Sequence, residues 1–206
     1  MSFPSFFDEA PVLTMRDPLA KFLGAASDGV IEYRYVDVVR LAGHSCPAVA
    51  GTYLMVWNGL NYLYDDETPE RGNIEVSMRD SRDYATTGVL ASVATLLTGA
   101  APETGFQGIG AAHWFSRKGL LSFDADIDGT MGLRRKDNGK GVVVDINTDS
   151  VPHDPMMSPL MAAAVAGSAS PQEQAQFATL WQERVRRMLV EHADDPKLIH
   201  LYGWDL

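Results

Sequence analysis

Between Pro47 and Tyr64 the chain reads PAVAGTYLMVWNGLNYLY, with no charged residue. Wound as a helix, this stretch places Ala48, Val49, Ala50, Tyr53, Leu54, Met55, Val56, Trp57 and Leu60 all round the axis. A helix without a polar face cannot lie on a surface, so other elements must enclose it. TTGVLASVATLLTG (86–99) is a second apolar helix, with small residues along one side that permit close packing. Neither stretch reaches the roughly 18 uninterrupted apolar residues needed to span a bilayer.

Strand patterns supply the cover. VIEYRYV (30–36) alternates apolar and polar side chains, and NIEVSM (73–78) follows the turn DDETPERG. Further strands are expected at 119–124, 129–135 and 141–147, with a turn at 136–141. DPLAKFLGAASDG reads as a short helix capped by Asp17, with Pro18 at its first position. DVVRLAG makes one or two helical turns before His44. SPLMAAAVAG is another short helix. Residues 171–190 are amphipathic: Ser170 and Glu173 form a capping box, and Phe177, Leu180, Trp181, Arg184, Val185, Met188 and Leu189 keep helical spacing. The expected fold is α+β: a mixed, largely antiparallel sheet with two apolar helices packed on it, plus the C-terminal amphipathic helix. Residues 1–17 are read as an irregular arm whose Phe3, Phe6 and Phe7 seek cover. Residues 18–150 form the main domain, and 151–206 a helical extension on the same core or on a partner subunit.

A formal charge of −10 and a pI near 4.8 repel phosphate backbones and anionic lipid, so neither nucleic acid nor membrane is expected as a partner. The basic run Arg134, Arg135, Lys136, with Lys140, reads as a solvated hairpin tip. A single cysteine excludes an intrachain disulfide. No basic segment followed by an apolar one opens the chain, so a cytoplasmic protein is expected, in keeping with a free thiol. The apolar helices, aromatic arm and amphipathic helix offer more hydrophobic surface than one small sheet covers, which points to a homodimer.

That one thiol lies in LAGHSCPAVAG (41–51). Pro47 suits the first position of a helix, which places Cys46 at the cap, where free N–H groups and the helix dipole favour thiolate. His44, on a turn after Gly43, can reach the same point. His-x-Cys offers two ligands of borderline softness, suited to zinc first, with iron, nickel or copper as alternatives. The other ligands must come from elsewhere. His113, in the glycine-rich GFQGIGAAHWF, comes first, followed by Asp80 and Asp83 in MRDSRDYATTG. His153, His192 and His200 are weaker choices. Read separately, a lone cysteine is a small buried hydrophobe and DSRD a solvated turn.

GHSCPAVAG with its helix, NIEVSM, TTGVLASVATLLTG and GFQGIG together resemble the FmdE family, proteins similar to the FmdE polypeptide of formylmethanofuran dehydrogenase. The resemblance spans residues 18–146. It implies an α+β fold, a bound metal often taken as zinc, dimers, and His44 and Cys46 as ligands. The chain lacks that family's additional cysteines, having Thr87 before Gly88 and Ala100 after Gly99, and it lacks the C-terminal zinc ribbon. The leading functional reading is a metal-binding protein acting on or holding a small molecule, with catalysis left open. The alternatives are a metal-free enzyme with Cys46 as nucleophile and His44 as base, a haem protein using Cys46-Pro47, and a non-catalytic accessory protein.

Overall fold

The computed structural model describes residues 3–204. Met1, Ser2, Asp205 and Leu206, at the outer ends of the expected arm and extension, lie outside them. The α+β expectation holds. A five-stranded sheet is built from β3 (Ile74–Met78), β4 (Leu121–Ser122), β5 (Met131–Arg135), β6 (Gly141–Ile146) and β7 (Ile199–Gly203), in spatial order β4-β3-β5-β6-β7. Only the β3–β4 pair is parallel. β1 (Leu13–Arg16) and β2 (Val30–Tyr33) form a separate antiparallel ribbon with Leu13 opposite Tyr33.

Among the described residues there are six α-helices: α1 (Pro18–Phe22), α2 (Tyr35–Ala42), α3 (Pro47–Tyr64), α4 (Thr87–Thr98), α5 (Met157–Val165) and α6 (Pro171–Arg186). α3 is the axis of the molecule. It packs on β5, β6 and β7, with α2 and α4 against its other sides. Its close approach to the sheet depends on Gly59: a Cβ there would lie 2.6 Å from Leu133 Cδ1 and 3.3 Å from Val144 Cγ1. Val49, Tyr53, Leu54, Val56 and Leu60 are wholly buried around it. The charge-free sequence is therefore that of a helix enclosed over most of its length, with Asn61 and Tyr62 exposed near its end.

Three expectations are corrected. The irregular N-terminal arm contains a 3-10 turn at Ser5–Asp8 and the strand β1, and Phe6 and Phe7 are buried in the common core. Residues 30–36 do not form one strand, because the chain turns helical at Tyr35, whose ring is wholly buried between Phe7 and Tyr53. Arg135 is not solvated at a hairpin tip: it is 9% exposed, stacked 4.0 Å over the Tyr64 ring and paired with Asp137 and Glu67. The alternation of β5 forces it inward beside Leu133. α3 and α4 bury most of their apolar residues within one chain, while Tyr62 on α3 and Val89 on α4 stay exposed.

Asp17 does more than cap α1. Its Oδ1 accepts from the Leu19 and Ala20 N–H groups at 2.9 and 3.2 Å. The same carboxylate takes Arg117 at 2.7 Å and Arg71 at 3.1 Å, both far away in sequence. Asp17 is 3% exposed and Arg117 6%. Burial alone would raise the Asp17 pKa; Arg117, the Ala20 N–H and Arg71 together outweigh it and hold the carboxyl below its ordinary value. One carboxylate thus ties the start of α1 to the end of α4, whose Leu96 carbonyl Arg71 Nη2 also grips at 3.1 Å.

Candidate metal centre

α2 ends when Gly43 adopts φ +75°, a left-handed conformation natural to glycine, with its N–H on the Val39 carbonyl at 2.8 Å. That turn delivers His44, Ser45 and Cys46 ahead of Pro47, the first residue of α3. Cys46 has extended backbone and occupies the N-cap, where its Sγ accepts the Val49 N–H at 3.4 Å. The sequence reading of Cys46 as a helix cap is borne out. Sulfur is a weaker acceptor than the oxygen caps most helices use, so the first turn of α3 is thinly capped.

His44 is exposed, with Nδ1 3.0 Å from the Ala42 carbonyl. A carbonyl only accepts, so this contact puts the proton on Nδ1 and leaves the Nε2 lone pair free. Metal-binding histidines commonly have this arrangement, in which one nitrogen is anchored to backbone and the other is available.

Ser45, between the two, is fixed from three directions. Its hydroxyl meets Tyr35 Oη at 2.9 Å. Its carbonyl accepts from Trp181 Nε1 at 3.0 Å and from Gln182 Nε2 at 3.1 Å, both on α6. Because Gln182 must turn its NH2 to that carbonyl, its Oε1 faces elsewhere, buried and without a hydrogen-bond partner among the described residues. An orphan acceptor of this kind in a native fold calls for an unseen donor, water or cation.

Beside the turn lies a cavity of about 420 Å³ reached by Pro47 and Ala48 of α3, Thr86 and Thr87 at the start of α4, and Asp80. The five residues read from sequence as ligands are placed differently from one another. Asp80 borders this cavity, its Oδ1 3.2 Å from Arg79 Nε. Asp83 is exposed and accepts the Ser81 hydroxyl at 2.8 Å, a bond that lowers its pKa. His113 sits at φ +51° on an exposed turn of the glycine-rich loop. Among the described residues, no three or more His, Cys, Asp or Glu side chains are gathered so as to hold one ion. The donors on the turn are therefore one nitrogen and one sulfur, and the Gln182 oxygen points away from the Ser45 carbonyl that its own NH2 meets.

Sequence reasoning missed Tyr35, Trp181 and Gln182 as supports of the turn. Trp181 was legible only as part of an apolar stripe, and Gln182 carried no signal. Among the described residues no helix is long and apolar enough to cross a membrane.

No family model matches the chain, and no curated protein matches it. Among solved structures, it is similar to a tungsten formylmethanofuran dehydrogenase FmdE-like protein from Syntrophus aciditrophicus. The two are 19% identical over 84% of this chain and 73% of that one, with a TM-score of 0.43. A likeness at that score carries no argument about this chain, and the functional reading rests on the turn itself.

Proposed function

We propose that the chain binds a single transition-metal ion, zinc in the first instance, through Cys46 Sγ and His44 Nε2, as a metal protein that holds or acts on a small molecule. The observation that carries the reading is the 3.0 Å contact between His44 Nδ1 and the Ala42 carbonyl, which leaves Nε2 free two residues from the only thiol. The donor set fits the metal: imidazole and thiolate are the ligands zinc takes most readily. Gln182 Oε1, buried and without a partner among the described residues, is an acceptor on the helix that holds the turn. Two side-chain donors would leave half of a four-coordinate zinc shell to water or a small ligand, one position more than the single open one of sites where zinc does chemistry. The ion, when bound, supplies a Lewis acid.

The chain's own residues do the positioning. Gly43 sets the reversal, the Ala42 carbonyl fixes the imidazole, and Trp181 and Gln182 hold the Ser45 carbonyl between His44 and Cys46. The competing reading, a metal-free thiol with His44 as base, lacks a hydrogen bond between the two side chains: the Cys46 sulfur is engaged by the Val49 N–H.

Metal analysis of the purified protein beside Cys46→Ala and His44→Ala tests the proposal. It predicts close to one zinc per chain in the parent and loss of most of it in either variant. Equal, substoichiometric metal in all three overturns it.

A further inference from the structure

α3 runs for 18 residues and ends at Tyr64, roughly 27 Å from the Cys46 turn at 1.5 Å per residue. At that far end Arg16 closes β1, Arg135 closes β5, and Asn73 leads into β3, around a cavity of about 580 Å³.

Tyr64 borders this cavity and is 4% exposed, and its hydroxyl has no hydrogen-bond partner among the described residues. Burial raises its pKa, so at neutral pH the group is an intact O–H; the Glu70 N–H, Arg135 and the Asn73 side chain pull weakly the other way. Glu70, Asn73 and Arg135 all line the cavity, as does Asp137, the fourth neighbour of the hydroxyl, so the hydroxyl end of the ring faces it. Most of those neighbours are donors, and the Asp137 carboxylate is already held by Arg135 at 3.0 and 2.6 Å. What the phenol lacks is an acceptor for its own proton. A buried hydroxyl left without one is costly, and phenylalanine in its place would avoid the cost.

Every charge on the wall has its counter-ion. Arg16 meets Glu70 at 2.5 Å, and Arg135 meets Glu67 at 2.9 Å beside Asp137. Three carboxylates thus face two guanidiniums, and of the flanking charges Asp65 and Asp66 offset Lys136 and Lys140, while Arg71 is turned to Asp17. An anion would meet an excess of carboxylate, and a cation would meet carboxylates already paired. A neutral ligand can use the remaining lone pairs and N–H groups without breaking a pair.

We infer that this cavity binds a neutral polyhydroxylated molecule of monosaccharide size. One ligand hydroxyl accepts the Tyr64 proton, and its neighbours accept from Asn73 and Arg16 and donate to Glu70 and Asp137. A hydroxyl is the group that does both, which a wall mixing donors with acceptors requires. The site is separate from the His44–Cys46 turn and does not depend on the metal.

Calorimetric titration and saturation-transfer NMR of the full chain test it. The probes are D-glucose, D-mannose, D-galactose and D-ribose, with glucosamine and glucuronate as the cationic and anionic analogues of glucose. At least one neutral sugar should bind, and more tightly than either charged analogue. Tyr64→Phe removes only the unpaired hydroxyl, so it should melt no lower than the parent while binding that sugar roughly three- to tenfold more weakly, the worth of one hydrogen bond. A purely structural tyrosine would not separate the two readouts. Binding of no neutral sugar, tighter binding of a charged analogue, or undiminished binding by Tyr64→Phe overturns the inference. A Tyr64→Phe protein that melts lower or fails to fold shows the hydroxyl already partnered, and overturns it as well.

Discussion

The indole N–H of Trp181 donates to the carbonyl of Ser45 at 3.0 Å, joining residues 136 apart in the chain. The turn that carries His44 and Cys46 is therefore positioned by the C-terminal amphipathic helix and not by its own segment alone. Trp181→Phe keeps the aromatic body beside Phe177, whose ring lies 5.5 Å away, and deletes only the donor. Urea unfolding should show a loss of about 0.5–1.5 kcal/mol, the usual net worth of one hydrogen bond. Chelator competition should show weaker zinc retention in the same variant. Unchanged retention would mean that α6 does not orient the turn.

Asp17 holds two guanidiniums in a nearly dry setting, so removing its charge leaves buried arginines without a counter-ion. Asp17→Asn should cost about 3 kcal/mol or more at neutral pH. Because the folded-state pKa is lowered, this stabilisation is complete above the ordinary carboxyl range and is lost as pH falls through the folded value. Thermal melts of parent and variant at pH 7, 5 and then stepwise below the ordinary carboxyl range should therefore differ widely at the first two, with the gap narrowing as the pH falls further. A constant gap across the series contradicts the assignment.

Gly59 lets α3 lie close to the sheet. Gly59→Ala gains a little helix propensity, roughly 0.5–1 kcal/mol, against an overpacking cost of about 1–3 kcal/mol from Leu133 and Val144. A net loss is expected on chemical denaturation. Adding Leu133→Val, which trims the side chain whose Cδ1 the new methyl meets at 2.6 Å, should recover part of it. Additive losses in the double variant would place the strain elsewhere.

Features set by local chemistry were legible in the sequence, and those set by distant partners were not. The charge-free run 47–64, the apolar helix over 86–99 and the Ser170–Glu173 capping box announce themselves within a few residues, and the structure has all three. Cys46 at a helix cap follows from Pro47 in the same way. β4 shrinks to Leu121–Ser122, because its length is decided by pairing with β3 and not by its own alternation. β1 went unread because its partner β2 lies beyond α1. The Asp17–Arg117 pair spans 100 residues and the Gln182–Ser45 contact 137, and nothing near either end predicts the other. For the site, the turn was readable and its supports were not.

X-ray absorption at the zinc edge of the zinc-loaded protein reads the ligands themselves. The proposal predicts one sulfur at about 2.3 Å and at least one imidazole nitrogen at about 2.0–2.1 Å. The sulfur scatterer should vanish in Cys46→Ser and the imidazole signature should fall in His44→Ala. A shell of oxygen and nitrogen alone in the parent protein, unchanged in both variants, would contradict the reading of the His44–Cys46 turn as a metal site.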